Sequence, residues 1–414
     1  MAIVKRVGIL TSIPMTLKKR LALVVFFAPL LMAQDSIVLR VGTLIDGKGG
    51  VEHDTYVVVK DSKIEKIEKK SAGSKYIDLR KFTVVPGLID THVHIGWHFG
   101  PDGRYQPREK SPENAMGYAL ENAYETLMGG FTTVQSVGAP IDAEVRTAIN
   151  RGVLPGPRVL TSLGSINDPA MTVEQIHAGV AKFAADGADL IKIFASKSFR
   201  EGGGQTLSKE QIDAACGEAK AEHLRAIVHV YGPDTIKLVS DAGCTSVEHG
   251  TLITPEVMAY IAERGTYFDP NIGLVAQNYL AHKVNYLGIG NYTEDGMAAM
   301  QRSIPLSLKV FQQAIKTPKL KVIYGTDAVA GAHGHNIEEM IYRVQKGGQA
   351  PLDAITSATS LSAESLNMSD RIGSIAPGFE ADLIAVDGDP VKDITSMRRV
   401  VFVMKGGKIF KNLN

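Results

Sequence analysis

Pro86-Gly87-Leu88-Ile89-Asp90-Thr91-His92-Val93-His94 reads as a strand that begins apolar and ends in two histidines. Its composition and its Pro-Gly start predict extended backbone over 87–95. Residues two apart on a strand point to the same face, so His92 and His94 project together. In a parallel barrel, that face at the strand's C-terminal end is the mouth where reactive groups gather. Neutral imidazoles at this spacing suit a zinc-like cation. A lone His-x-His is often an incidental surface pair, so the rest of the chain decides what this one means.

Downstream, short β-rich runs alternate with amphipathic helical stretches, the pattern of parallel βα units. Strands are predicted over 87–95, 130–136, 158–162, 189–194, 225–230, 245–248, 266–269 and 321–324, and eight of them fit a closed (β/α)8 barrel of the TIM type. Helix-start chemistry falls between them. Thr172 with Gln175 and Ser208 with Gln211 form capping boxes; Ser111 and Thr254 each place a capping hydroxyl ahead of a proline at the first helical position. The competing architecture, an open doubly wound sheet, lacks a glycine-rich dinucleotide turn here. The chain ends differ from the middle. Residues 36–85 and 373–414 read as short alternating strands joined by turns such as Asp46-Gly47 and Gly406-Gly407. They predict a small β-sandwich built from both ends, flanking a barrel domain over 86–372. Segment 270–296 is too long for a routine βα loop and carries Tyr279, Tyr286 and Tyr292, which suits a lid or pocket wall as well as a surface excursion.

Four more polar residues fall at the predicted C-terminal ends of later strands. Lys192 interrupts Leu190-Ile191-Lys192-Ile193, His229 ends Ile227-Val228-His229, His249 follows Val247-Glu248, and Asp327 follows Gly325-Thr326. Burying such a group is costly unless it has a partner. One histidine of this kind is usually a satisfied core residue. Four histidines, a lysine and an aspartate at one end of one barrel are hard to explain that way.

With these residues in place, the sequence resembles the amidohydrolase superfamily. The resemblance is carried by Pro86–His94, by Gly325-Thr326-Asp327-Ala328 and by Ile375-Ala376-Pro377-Gly378-Phe379-Glu380-Ala381-Asp382-Leu383-Ile384, and it covers nearly everything after the first few dozen residues. It implies that His92, His94 and Asp327 hold one divalent cation and that His229 and His249 hold a second. Lys192, carboxylated to a carbamate by carbon dioxide, would bridge the two. The donors suit zinc. Within the superfamily the chain is similar to imidazolonepropionase-related dipeptidases acting on Xaa-Pro or Xaa-Arg/Lys, whose relatives hydrolyse N-acyl amino acids including ochratoxin. The implied reaction is cleavage of an amide bond by a hydroxide held between the metals, with Asp327 as proton carrier. Lys192 separates this reading from the one-metal imidazolonepropionases. Hydrolysis of a cyclic amide or lactone at the same metals, and an inactive barrel used for binding, are the alternatives; the second sits poorly with a complete set of six ligands.

Other candidates near the mouth are weaker. Tyr231, two residues after His229, faces the same side and suits an oxyanion or a substrate carboxylate, or is simply a packed tyrosine. Lys197 and Arg200, in the glycine-rich loop 196–205, suit a carboxylate, although solvated loop charges are the commoner reading. His98 and His333 sit in mouth loops where substrate would pass.

Composition narrows the rest. The chain has 414 residues, 44% of them apolar, and a formal net charge of +1, with no Walker loop or basic patch to suggest nucleic acid. The expected partner is a small-molecule substrate; a homo-oligomer is left open. Lys18, Lys19 and Arg20 precede the apolar run 21–33, as in a secretory signal peptide, with either Met1 or Met15 as start. That run is short of the roughly 20 residues that cross a bilayer, so export rather than membrane insertion is expected. Cys216 and Cys244 are too few for a disulfide framework, and buried free thiols are the default expectation.

Overall fold

The computed structural model describes residues 36–70, 75–106 and 111–413. The basic and apolar segment at 18–33, with the export it suggests, lies outside them.

Seven parallel strands lie close to the expected places: Leu88–Val93, Phe131–Ser136, Arg158–Thr161, Leu190–Phe194, Arg225–Val230, Ser246–His249 and Tyr267–Asp269. Backbone hydrogen bonds carry the ring across its seams. Asp189 N donates to Thr161 O, joining the third strand to the fourth. Phe268 N donates to Lys321 O, and Thr91 N to Tyr324 O, so segment 321–328 closes the circle between the seventh strand and the first. The result is an α/β fold of the TIM-barrel type.

The eighth expected strand, 321–324, is not a regular ladder; it meets its neighbours through the single bridges Phe268–Val322 and Val93–Ala328. Side chains take the backbone groups that a ladder would use. Arg343 Nη1 donates to Ile323 O, Ser362 Oγ accepts from Tyr324 N, and Asp269 Oδ1 accepts from Gly325 N.

Helix starts follow the caps. Thr172 and Ser208 form both capping boxes, ahead of helices Val173–Ala185 and Lys209–Ala221. Ser111 and Thr254 cap Pro112–Met128 and Pro255–Glu263, each with proline in the first turn.

The two chain ends do combine: their strands are hydrogen-bonded into one seven-stranded sheet, and Leu39, Val41, Val57 and Ile64 from one end of it share a core with Leu383, Phe402 and Met404 from the other. The strand order is Lys408–Asn412, Val400–Lys405, Leu383–Val386, Ile77–Pro86, Ile37–Ile45, Val51–Lys60, Lys63–Glu68. The ends meet edge to edge because Leu383–Val386 pairs antiparallel with Ile77–Pro86. Only Gly87 separates that sheet from the first barrel strand, and a Cβ there would lie 2.1 Å from Thr132 Oγ1, so no larger residue fits the junction.

Segment 270–296 walls the cavity at the C-terminal ends of the strands rather than forming a surface excursion: it contains helices Val275–Ala281 and Lys283–Tyr286, Val275 and Tyr279 line the cavity, and Tyr279, Tyr286 and Tyr292 are buried together with Tyr105. Cys216 and Cys244 are not free thiols but a disulfide with a Cα separation of 5.3 Å. Helix Lys209–Ala221 packs beside the entry to strand Ser246–His249, which brings the two within bonding range. Among the described residues no helix is long and apolar enough to cross a membrane.

Candidate active site

His92, His94, Lys192, His229, His249 and Asp327 all line one cavity of about 270 Å³ at the C-terminal ends of the strands. Asp327 Oδ1 lies 3.1 Å from His94 Nε2 and 3.6 Å from His92 Nε2. The ligating atoms of these three residues fall within 4.8 Å of one another, compact enough for one cation. Lys192 Nζ is 3.2 Å from His92 Nε2. On the other side, the His229 and His249 rings lie 4.6 Å apart, with His249 5.4 Å from His92. His229 Nε2 is buried and lacks a hydrogen-bond partner. An orphaned imidazole nitrogen is expensive in a dry site and is the kind of atom a cation satisfies.

Electrostatics favour lone-pair donors. Burial holds the pKa values of His92, His229 and His249 well below the ordinary histidine value, so the rings are neutral. Burial also lowers the Lys192 ammonium, against the opposing pull of Glu248 and Asp327. Burial alone would raise Asp327, but His92 and His94 beside it keep the carboxyl ionised. Three neutral imidazoles, a loosened amine proton and a carboxylate form a donor set that fits divalent metal.

The backbone makes the set possible. His249 and Asp327 both adopt positive φ, 68° and 53°, a costly conformation for such residues. At His249 the irregularity lets two successive residues address the interior, where regular alternation would send them to opposite faces. Glu248 uses this, its Oε2 lying 2.8 Å from His92 Nδ1 and aiming the opposite ring nitrogen at the cavity. Asp90 ties the segments together: it accepts from His92 N at 3.2 Å, Thr326 N at 3.0 Å, Thr326 Oγ1 at 2.7 Å and Asn336 Nδ2 at 2.7 Å. Burial nevertheless pushes its pKa up to about 7. Asp269 accepts from Thr91 Oγ1 at 2.7 Å and from Gly325 N at 2.9 Å, an approach that a Cβ at Gly325 would block, 2.0 Å from the carboxylate.

Glu248, Asp90 and Asp269 were not singled out from the sequence. The signal that marked Lys192, a charge inside an apolar strand, is present at Glu248 too. Trp97, stacked on His94 at 4.2 Å, carried no comparable signal.

The remaining candidates divide. Tyr231 lines the cavity and stacks on His249 with centroids 5.5 Å apart; burial raises its pKa and keeps the phenol protonated. Arg200 is not a solvated loop charge. It lines the cavity with its guanidinium carbon 4.2 Å from the Tyr292 ring centre and 5.2 Å from that of Tyr279, and its Nε donates to Asn291 Oδ1 at 3.0 Å. Lys197 is exposed and does not line the cavity. His98 and His333 do not line it either. His98 stacks on Tyr118 at 4.0 Å, and His333 Nε2 sits 3.1 Å from His94 O, behind the site.

Comparison with known proteins shows the family. The profile of the amidohydrolase family matches residues 83–410. An ochratoxinase from Aspergillus niger is 27% identical over 90% of this chain and 86% of its own length. A solved Xaa-Pro dipeptidase with bound methionine in its active site is 32% identical, covering 91% of this chain and 100% of its own, with a TM-score of 0.83. The A. niger ochratoxinase structure superposes with a TM-score of 0.78 at 25% identity, covering 91% of this chain and 96% of its own. With the family profile running through the whole barrel and into the C-terminal strands of the terminal sheet, the chain belongs to the amidohydrolase family and is a hydrolase of carbon–nitrogen bonds.

Proposed function

We propose that the protein is a two-metal amidase that cleaves the amide or peptide bond of a dipeptide or N-acyl amino acid. The observation that carries this is Lys192, a buried lysine in the same cavity as His92, His94, His229 and His249. His92, His94 and Asp327 would hold one cation and His229 and His249 the other, and Lys192, once its amine has added carbon dioxide and released a proton, would offer an anionic carbamate to both. When bound, two divalent cations, zinc by the nature of the donors, polarise a carbonyl and make water nucleophilic near neutral pH. The protein's own groups do the rest. Asp327 takes the proton of the attacking water and returns it to the leaving nitrogen. Tyr231, held protonated by burial, donates to the carbonyl oxygen as negative charge develops.

The preference for a substrate with a free carboxylate rests on Arg200. No ion pair within 4.0 Å joins its guanidinium to an acidic side chain among the described residues, and Tyr279, Tyr292 and Asn291 hold it in the cavity wall. A cation so placed suits an anionic group brought by the substrate. The names of the relatives, an ochratoxinase and a dipeptidase that binds methionine, point the same way.

One panel tests the proposal: dipeptides, N-acyl amino acids, their C-terminal amides, hydantoins and lactones, run on metal-replete, chelator-stripped and Arg200→Met enzyme. Stripping abolishes turnover and added zinc restores it. Arg200→Met raises KM for free carboxylates about 10- to 100-fold, the loss of a charged hydrogen bond, while amides change little. Full activity in metal-free protein would refute the metal assignment; equal KM changes for acids and amides would refute the role of Arg200.

We also propose that the protein is exported. The Lys18–Arg20 cluster with its apolar run supports this, and so does the Cys216–Cys244 disulfide, a bond that persists in oxidising compartments. N-terminal sequencing and thiol labelling of the native protein decide it. A chain starting at Met1 in the cytoplasm with both thiols reactive would end the idea.

A further inference from the structure

Beside the catalytic cavity lies a second hollow of about 500 Å³, between the start of helix Pro255–Glu263 and helix Glu294–Ala314. The two spaces share Thr251 in their walls. Its hydroxyl meets that of Ser307 at 3.2 Å. Ser307 belongs to the face of the long helix that walls the catalytic cavity, with Met300, Ser303 and Ile304 at helical spacing. Its near neighbours Leu306 and Val310 line the second hollow instead. Between these faces sits Pro305, which has no N–H to give, so the helix lacks one backbone hydrogen bond where the two spaces adjoin.

Six of the twelve residues lining the second hollow are apolar, and Lys309 and Lys316 stand among the polar ones. Leu252 and Leu306 are 41% and 44% exposed, two large apolar side chains left open to water around a concave surface. The catalytic cavity, at about 270 Å³, is itself smaller than ordinary ligand pockets of about 300–1,000 Å³. A substrate with its carboxylate at Arg200 and its amide at the six-residue cluster has little room left for a large acyl group.

We infer that the second hollow is a distal subsite for an unbranched apolar acyl chain, entered past the Thr251–Ser307 pair. The inference rests on the amidase reading and narrows it to N-acyl amino acids with extended aliphatic chains. Parting two hydroxyls that water can re-satisfy costs little, and the chain gains contact with Leu306, Val310 and Met258.

The test compares metal-replete wild type with Leu306→Asp, a change at an exposed position that the fold tolerates. kcat/KM is measured for N-acyl phenylalanines from acetyl to decanoyl, and decanoate binding is followed by calorimetry. In the wild type, kcat/KM rises about two- to fourfold per added methylene until the hollow is filled. Leu306→Asp lowers the decanoyl-to-acetyl ratio, and the affinity for decanoate, at least tenfold. A flat chain-length profile, or a ratio unchanged in the variant, overturns the subsite. If neither a dipeptide nor an acyl amino acid is hydrolysed, the amidase reading fails by itself. Decanoate binding then still judges the hollow: loss in Leu306→Asp supports it, and equal or absent binding rejects it.

Discussion

Lys192→Arg is expected to lose its metal and its turnover together. A guanidinium stays protonated at any pH the fold survives, and it offers donors only. At a position 1% exposed and 3.2 Å from His92, it would set a fixed positive charge where the proposal needs a shared anion. The loss should exceed the roughly 10- to 100-fold in metal affinity that follows removal of an outer partner of a ligand. Lys192→Ala should fail as well, with a difference: acetate or bicarbonate can enter the vacated volume and restore part of the metal content and rate. A purely structural lysine predicts the reverse order, with arginine the milder change and metal content steady. Elemental analysis beside steady-state kinetics separates these cases, and a thermal melt shows whether each variant folds. Full metal occupancy and rate in Lys192→Arg would remove the bridge and leave a one-metal hydrolase.

Asp327→Asn should cost about 10²–10⁴-fold in kcat, the range for loss of a positioned proton carrier. Asparagine is the informative substitution because of the backbone. Residue 327 sits at φ 53°, where asparagine is tolerated and most other residues are strained. Its amide keeps an oxygen near His94 but cannot accept and return a proton. The expected result is therefore a folded protein that retains its second metal and loses turnover. Asp327→Ala adds backbone strain to the chemical loss and should melt earlier. A kcat within tenfold of wild type in Asp327→Asn would assign the proton transfers to another group.

The strands, caps and metal-type residues were legible because each leaves a local mark: an apolar run, a hydroxyl three residues before a glutamine, a polar residue at the end of a strand. Thr172–Gln175 and Ser208–Gln211 formed as expected because capping is settled within one helical turn. What could not be read depended on distant partners. The edge-to-edge pairing of Leu383–Val386 with Ile77–Pro86 is one such case, because alternation alone does not say which strands pair. Segment 321–324 lost its regular ladder to Arg343, Ser362 and Asp269, side chains far off in sequence or across the barrel. The disulfide depends on a helix meeting a strand entry. Asp90 looked like any acid between apolar residues until Asn336 and Thr326 were seen to converge on it. Arg200 could be offered only as one of two readings, a carboxylate binder or a solvated charge, since its aromatic walls arrive from the segment after the seventh strand.

The pairing of the chain ends has a consequence during synthesis. Ile77–Pro86 is made early, and one of its two neighbours, Leu383–Val386, leaves the ribosome only after the whole barrel has been translated. Until then the early strands present a bare row of N–H and C=O groups, the template on which a second nascent chain can add. Folding from the N-terminus therefore has to hold that edge open through nearly the entire elongation period.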